Sequence, residues 1–452
     1  MELWKDFRSL YFSTLLLMLG SGLLSTFLGL YIAQHANGFW VGALMTSFYL
    51  GLVLGGKLGH KLIARVGHIR AFVACAGFVT AAIMCHGLTE QLSMWLLLRF
   101  LVGLSTMCMY MVIESWLNEQ SSTENRGIIF SGYMMAAYMG LVLGQLVLAS
   151  FPELGSKLLL LVAMCYSMCL VPVALTKRLH PNPLKPARLA PLYYFKHAKV
   201  AMITSFLSGM MEGSFYGLAP FYAKQLGFNT THIGLFVATC IVAGVFIQWP
   251  MGWFSDHFQR PKVIRAVGAG LILCAIPLAV LTDLNEWIVF AIGAATCAFL
   301  FSVYPLAIAF ANDHIAPRRR VSLTAVLLAV FGLGASIGPI SAGLLMTYFG
   351  PNMLFAFFAA ASLLIVLTAR SQAVPAPIAK SDAVQHMHMP SSLTSSPLVV
   401  ALDPRIDEEM VQEEMVMDAA ELEAHNYEPE GQVVEPVSND NVTLEEENSQ
   451  KD

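Results

Sequence analysis

Apolar runs long enough to cross a lipid bilayer recur about every thirty residues along most of this chain, and they restrict its fold more than any other feature. Twelve such runs lie near residues 9–33, 40–58, 69–88, 91–114, 127–150, 157–176, 199–223, 232–255, 262–282, 286–310, 321–347 and 351–370. Lipid offers no hydrogen-bond partner to the backbone, so each run must be a helix. The sequence therefore predicts an all-α membrane protein with twelve transmembrane helices.

Lysine and arginine indicate how these spans are oriented. The span ends and loops on one side of the predicted membrane hold 20 of these residues, whereas the loops on the other side hold only Lys157 and Lys224. In membrane proteins the loops that stay in the cytoplasm carry the excess of positive charge. We therefore expect a multi-pass protein with both termini in the cytoplasm.

The last eighty or so residues have a different composition. Residues 371–452 hold 3 Lys/Arg and 18 Asp/Glu, whereas residues 1–370 hold 23 and 12. Such a segment buries too little apolar surface to offset the entropy of ordering, so we predict a disordered acidic cytoplasmic tail. The stretch 408–425 has apolar residues near helical spacing and could fold on a tail-binding protein, although a solvated tail is the simpler interpretation.

Two registers of internal similarity divide the rest of the chain. At an offset of 192 residues, HKLIARVGHIR (60–70) aligns with GWFSDHFQRPK (252–262). At an offset of 194, six further pairs match: Tyr110 with Tyr304, Asn118 with Asn312, Glu119 with Asp313, Arg126 with Arg320, Gly140 with Gly334, and Gly144 with Gly338. A parallel repeat of this kind is found in transporters. It predicts six-helix bundles at 1–176 and 199–370, joined by a cytoplasmic linker at 177–198.

The two repeated loops resemble the loop signature of the major facilitator superfamily. The second loop carries its glycine, aspartate and basic residues as Gly252, Asp256, His257, Arg260 and Lys262, with Gln259 in place of a later glycine. The first loop keeps Arg65, Gly67 and Arg70, but His60 and Ala64 replace the first glycine and the aspartate. The missing aspartate puts in doubt whether the first loop acts like the second.

Further motifs extend this resemblance over about residues 9–370. Arg99 and Gly103 reproduce a pattern of the fourth span, and VGHIRAF, IESWLNE and YGLAPFYA are similar to the YcaD-like bacterial branch. The resemblance implies two pseudo-symmetric six-helix bundles in a bacterial inner membrane. It also implies secondary active transport of a small molecule by alternating access, with no enzymatic activity, no cofactor, no metal and no nucleic acid partner. Membrane lipid surrounds such a protein.

The resemblance also implies a cytoplasmic gate. Pseudo-symmetry would aim Asp256 at the start of the fifth span, near Arg126 and Gly127, where unpaired N–H groups favour a carboxylate. Ala64 cannot act in this way, so the latch would be one-sided, with Arg65 left to interact with Glu119 or other acids. The candidate gate residues are Asp256, Arg260, Lys262, Arg65, Gly67, Arg70, Glu119, Arg126, Asp313 and Arg320. Alternatively, Asp256 is a loop residue that only aids topology.

Glu212 is the strongest candidate for proton coupling. It lies about thirteen residues into the predicted span 199–223, or roughly 20 Å deep at 1.5 Å per residue. A charged acid at that depth costs about 2.5–3.5 kcal/mol, and such residues usually face a cavity or a partner. Arg99, a basic residue deep in a span of the other half, is a candidate partner. The alternatives are a counter-ion for a cationic substrate and a structural hydrogen bond between helices.

A cavity between the halves would be lined by polar and aromatic side chains of the inner spans. The candidates are Tyr49, Tyr110, Gln145, Phe215, Tyr216, Gln248 and Tyr304, each of which could instead serve core packing. Glycines at 140, 144, 332, 334 and 338, followed by Pro339, predict either close helix packing or hinges.

Residue patterns allow three other functions. Met and Cys cluster at 107–111 and 164–169 and could form a copper path, but packing in the core is the simpler interpretation. HMHM at 386–389 could hold a soft metal, but four residues with no further ligands make a weak signal. The stretch GLST (103–106) lacks a histidine base at comparable depth for hydrolysis. A transport-inactive receptor or scaffold that uses the acidic tail is the main alternative to a transporter.

Overall fold

A computed structural model describes residues 2–119, 121, 125–151, 153–174, 191–313, 315, 319–369, 394–396 and 398. All of them belong to one compact unit, Met1–Asp407. The helices are α1 (Glu2–His35), α2 (Gly38–Val66), α3 (His68–Leu88), α4 (Leu92–Glu119), α5 (Arg126–Ala149), α6 (Ser156–Met168), α7 (Leu170–Ala174), α8 (Pro191–His197), α9 (Lys199–Gln225), α10 (Thr230–His257), α11 (Arg260–Val280), α12 (Glu286–Asn312), α13 (Arg320–Phe349) and α14 (Met353–Thr368). The predicted all-α class is confirmed.

Each predicted span corresponds to a helix. In the described part of the chain, ten helices are long and apolar enough to cross a membrane. The remaining two predicted spans are α9, which holds the acid Glu212, and α14, which has 16 residues. The sixth span is divided into α6 and α7 because Pro172 has no N–H to donate to the carbonyl of Met168, where α6 ends. Helix α8 lies inside the predicted linker.

Short connections with clear sequence signals make successive helices antiparallel. Gly67 joins α2 to α3 with φ +86°, a conformation that L side chains rarely adopt. Asn229 and Asn285 begin α10 and α12, and their side chains accept hydrogen bonds from the backbone N–H groups of His232 and Trp287.

Small residues let helices within each half approach closely. In the first half, Gly140 and Gly144 of α5 face α1, where a Cβ on Gly144 would lie 2.7 Å from the carbonyl oxygen of Leu19. In the second half, Gly334 and Gly338 of α13 face the backbone of α9 in the same way. The two pairs occupy equivalent positions at the predicted offset of 194 residues. The packing role of these glycines is therefore confirmed, and a hinge role stays a prediction.

The helix bundle has two chemically different ends. We call one the basic end, which holds the connections at 66–68, 119–126, 257–260 and 312–320. The other, here the opposite end, holds the connections at 35–38, 88–92, 149–156, 225–230, 280–286 and 349–353.

The two halves contact each other through backbone atoms toward the opposite end. Thr46 Oγ1 of α2 donates to the carbonyl of Ser336 in α13 at 2.7 Å, and Thr231 Oγ1 of α10 donates to the carbonyl of Ala149 at the end of α5 at 2.9 Å. Gly42 packs directly on the carbonyl group of Pro339. These contacts join α2 to α13 and α5 to α10 near one end of the bundle.

Candidate functional site

Helices α5 and α10 separate toward the basic end and leave a cavity of about 920 Å³ between the halves. Tyr138 of α5 and Gln248 and Asp256 of α10 are polar residues on its walls. The rings of Trp249 and Phe246 are 85% and 76% exposed beside it. Large exposed apolar rings suit a surface that faces lipid, so the cavity opens sideways as well as toward the basic end.

Glu212 lies in the middle of α9 (Lys199–Gln225) and is only 3% exposed. Its carboxylate accepts a hydrogen bond from Ser208 Oγ, one turn earlier, at 3.1 Å. Among the residues that the structure describes, it makes no ion pair. Two tyrosines lie at the same level: Tyr49 of α2, whose hydroxyl bonds to the carbonyl of neighbouring Gly213, and Tyr216, one turn further along α9. Glu212 is thus a buried acid with one side-chain hydrogen bond and two tyrosines at its level.

Tyr49 links the halves at this level. Its hydroxyl donates to the carbonyl oxygen of Gly213 at 3.2 Å, which joins α2 to α9. Because Gly213 directly follows Glu212, this bond places the Tyr49 hydroxyl at the level of that acid.

Arg99 does not form the ion pair with Glu212 that the sequence suggested. The guanidinium of Arg99 is fully buried; Nη2 donates to Ser25 Oγ at 3.2 Å, and the group lies 4.4 Å from the centre of the Phe48 ring. Arg99 stands seven residues from the start of α4, or roughly 10 Å, whereas Glu212 is roughly 20 Å from either end of α9. This difference in depth keeps the two charges apart.

Three of the seven predicted cavity residues border open space between the halves, and four belong to the core; one of these four is Tyr304, whose ring centre lies 4.6 Å from that of Phe331. Tyr49 and Tyr216 border a small void between the halves, and Gln248 borders the large cavity. The side chain of Gln145 accepts from Thr26 Oγ1 at 2.9 Å and donates to the carbonyl of Gly22 at 3.2 Å, so it joins α5 to α1. The other two packed residues are Phe215, 5.6 Å from the Phe301 ring centre, and Tyr110, whose hydroxyl lies 3.7 Å from Met18 Sδ.

Arg260 organises the basic end of the second half. Its Nε donates to Asp313 Oδ2 at 2.6 Å, and its Nη2 donates to Asp256 Oδ1 at 3.3 Å. A third bond runs from Nη1 to Ser255 Oγ at 2.7 Å. Because Asp313 ends α12, this cluster ties α10, α11 and α12 together.

The first half has no equivalent cluster in the described residues. Ala64 stands where the second half has Asp256, and the exposed side chains of Arg65 and Glu119 make no ion pair with each other. Arg70 and Lys262 are exposed as well, whereas Arg126 is buried at the start of α5 and Arg320 is partly buried at the start of α13. In the described part of the chain, the charged cluster of Arg260 thus belongs to the second half alone, and the role of these residues as a gate stays a prediction.

Asp256 also borders the large cavity, across from Phe130 and Ser131 of α5. Asp256 therefore faces α5, the helix onto whose start it is predicted to close. Its closure onto the start of α5 stays a prediction.

Sequence reasoning missed a second buried acid, Glu114 of α4, which is 0% exposed. Tyr133 Oη lies 2.9 Å from Glu114 Oε1, and the backbone N–H of Ser396 donates to Oε1 and Oε2 at 2.9 and 3.1 Å. The hydroxyl of Ser396 donates to Oε2 as well. The sequence signal was weaker than for Glu212, because Glu114 is the last residue of the predicted span 91–114, whereas Glu212 lies in the middle of its span.

Most of the predicted tail, 371–452, lies outside the described residues, as do the partner-binding stretch 408–425 and the HMHM stretch. The four tail residues that the structure describes, Thr394, Ser395, Ser396 and Leu398, are all buried.

A repeated bundle with a buried acid and a cavity between its halves defines a class of membrane transport proteins, and comparisons with known proteins agree. The Major Facilitator Superfamily pattern matches residues 10–304. An uncharacterized MFS-type transporter YcaD of Salmonella newport (strain SL254) is 30% identical over 375 residues, covering 81% of this chain and 96% of that protein. The chain belongs to the Major Facilitator Superfamily, and its predicted similarity to the YcaD-like branch is confirmed.

Solved structures share the fold. A variant of the nucleoside transporter NupG matches with a TM-score of 0.70 at 14% identity, over 80% of this chain and 98% of that one. A D-xylose-proton symporter matches with a TM-score of 0.63 at 14% identity, over 82% of this chain and 97% of that one. The protein is a multi-pass membrane transporter of a superfamily that moves small molecules.

Proposed function

We propose that this protein is a secondary active transporter that couples the movement of a small molecule to protons by alternating access. It would work in a bacterial inner membrane with both termini in the cytoplasm. The observation that carries the proposal is the Glu212 carboxyl group, buried at mid-depth with one side-chain hydrogen bond and no ion pair in the described chain.

The environment of Glu212 suits a group that gains and loses a proton. Removal of water disfavours the charged form of a carboxyl group, and entry of water restores it. Ser208 and the tyrosines around Glu212 supply hydroxyl groups, which can hydrogen-bond to either form. Because these groups lie between the halves, a change in which side admits water would change the protonation of Glu212.

The asymmetry of the two ends supports alternating access. Backbone contacts between the halves close the bundle toward the opposite end, and the cavity between α5 and α10 widens toward the basic end. The excess of Lys and Arg favours a cytoplasmic location for the basic end. In that orientation, the arrangement would correspond to an inward-facing state. In the outward-facing state, Asp256 would close onto the start of α5.

The cargo would be a small molecule that can hydrogen-bond to hydroxyl groups and pack against rings. Tyr49 and Tyr216 offer both kinds of contact next to Glu212. If the cargo were cationic, Glu212 would act as its counter-ion, and the two roles can be separated experimentally.

Uptake into proteoliposomes, measured for a panel of neutral, anionic and cationic metabolites with an imposed pH gradient, tests the proposal. The Glu212→Gln protein should fold and exchange substrate, because glutamine keeps the shape and the hydrogen bonds. It should lose accumulation driven by the pH gradient, because glutamine binds no proton. Glu90→Gln, which removes an exposed acid in the α3–α4 connection, should behave as wild type.

Full pH-driven accumulation by Glu212→Gln would contradict proton coupling through this residue. Loss of exchange for cationic compounds alone would instead assign Glu212 the counter-ion role. Absence of transport for every compound of the panel by the wild-type protein would count against the transport proposal as a whole.

A further inference from the structure

A short piece of the tail occupies a position between the two halves. We call Thr394, Ser395, Ser396 and Leu398 the docked segment. Thr394 is 2% exposed, Ser395 and Ser396 are 0% exposed, and Leu398 is 8% exposed and joins the main apolar core. A solvated acidic tail would leave all four exposed, so these residues have a specific binding place.

Glu114 is the receptor for this segment. Its two carboxylate oxygens accept the Ser396 N–H at 2.9 and 3.1 Å, and the Ser396 hydroxyl donates to the same carboxylate. Tyr133 Oη lies 2.9 Å from Glu114 Oε1 and 3.1 Å from the carbonyl oxygen of Thr394, so its single O–H can bond either to the receptor or to the docked segment. Hydrogen bonds to an ionised acceptor are roughly twice as strong as neutral ones. A buried carboxylate without these donors would be costly.

The docked segment also fills the space near the candidate cavity residues. Thr394 borders a void of only about 20 Å³, together with Ser25 of α1, Tyr49 of α2 and Tyr216 of α9. A void of that size holds about one water molecule. While Thr394 is in place, no metabolite fits at this level between the halves.

We propose that the docked segment binds Glu114 in cis and closes the access from the basic end to the small void that Tyr49 and Tyr216 border, so that it must leave before cargo can reach those two residues. The cavity between α5 and α10 is lined by none of the described tail residues, and the docked segment leaves it open. The interaction surface is the Glu114–Tyr133 pair of α4 and α5, and its partner is this chain's own tail. The inference goes beyond transport itself, and it holds whether or not Glu212 carries protons.

Protection of residue 395 tests the docking in the full-length protein. Ser395→Cys in a Cys85→Ser background, which removes the one exposed cysteine of the described chain, is treated with a membrane-impermeant maleimide. Labelling should be slow, and it should become about tenfold faster or more when Glu114→Gln removes the charged acceptor. Glu90→Gln should leave the protection unchanged. Labelling at the rate of a fully exposed cysteine, or no acceleration by Glu114→Gln, would overturn the proposal.

A second measurement tests closure of the small void that Thr394 borders, and it leaves Glu114 intact. Ser21→Cys borders the same void as Thr394, and its reaction with trimethylammonioethyl methanethiosulfonate reports access from the basic end. Ser396→Glu places a second negative charge against Glu114 and should release the segment, which would raise the reaction rate about tenfold. Equal rates with Ser396 and with Ser396→Glu would contradict closure.

Neither measurement uses a cargo or a pH gradient. A failed docking test therefore leaves the transport proposal standing, and a failed transport test leaves the docking result standing.

Discussion

The two ends of this bundle are held by different kinds of contact. Toward the opposite end, Gly42 and Pro339 bring α2 and α13 together backbone to backbone, and Thr231 fixes α10 to the end of α5. At the basic end, charged side chains such as Arg260 and Asp256 hold helices within the second half, while α5 and α10 stand apart around a cavity.

The difference matters because the two kinds of contact respond differently to movement. Dispersion between touching backbones falls off within an ångström, so a contact such as Gly42 with Pro339 is either made or lost. Long charged side chains can keep or exchange partners while helices shift. The opposite end is therefore suited to a tight seal, and the basic end to graded closure by side chains and by the docked segment.

The largest effect is expected from a side chain placed in the tight seal. A Cβ at Gly42 would collide with the backbone of Pro339 and Ile340. Gly42→Leu should therefore destabilise the closed opposite end by at least about 3 kcal/mol, which is the upper part of the usual range for overpacking. The measurement is the rate at which a cysteine at Thr46, beside the seal, reacts with an impermeant thiol reagent added on the opposite side. The rate should rise more than a hundredfold.

Gly77 of α3 provides the matched control, because nothing lies within 4 Å of a Cβ built there. Gly77→Leu should leave the reactivity at position 46 unchanged. If Gly42→Leu and Gly77→Leu gave the same reactivity, the small-residue contact would not be the seal.

A smaller effect is expected from the graded closure at the basic end. Asp256 and Asp313 both bind Arg260 and both have side chains 27% exposed, but Asp256 borders the cavity that faces α5. If Asp256 closes onto the start of α5 in the outward-facing state, Asp256→Asn should weaken that closure by about 0.3–1 kcal/mol, whereas Asp313→Asn should not. Labelling of a cysteine at Ser131 from the basic side should therefore be up to about fivefold faster only for Asp256→Asn. Equal labelling of the two variants would refute the latch.

Much of the fold follows from local sequence patterns. Apolar run length predicted the spans because lipid leaves the backbone no alternative to helix, and the repeat at offset 194 predicted which glycines contact a neighbouring helix. The same depth argument located Glu212 correctly at mid-helix. These features depend on residues near one another in the chain or on a repeat that can be read directly.

The site could be predicted only in part, because its remaining contacts join distant segments. Ser396 reaches Glu114 across 282 positions, and the tail composition gave no indication of it. Composition averages over a long segment and cannot reveal four residues that fit a receptor. The prediction of Gln145 as a cavity residue was wrong for the same reason. Its hydrogen-bond partners, Thr26 and Gly22, lie on α1, more than a hundred positions earlier in the chain, so no local pattern reveals them.

The central claim is that the two ends open in alternation and that Glu212 controls which end is open. Spin labels report it directly in the full-length protein with Cys85→Ser. One pair, at Ile128 of α5 and Phe258 just after α10, spans the basic end. A second pair, at Ser150 and Leu235, spans the same two helices at the opposite end. Both distances are measured by pulsed electron resonance in nanodiscs, for wild type across a pH series and for Glu212→Gln.

Lowering the pH should shift the two distance distributions in opposite directions, one pair becoming shorter and the other longer, because protonation of Glu212 changes the balance between the two states. Glu212→Gln, which mimics the protonated acid, should hold the low-pH distances at every pH. Distances that stay fixed, that change in the same direction at both ends, or that respond to pH equally in Glu212→Gln would contradict the claim.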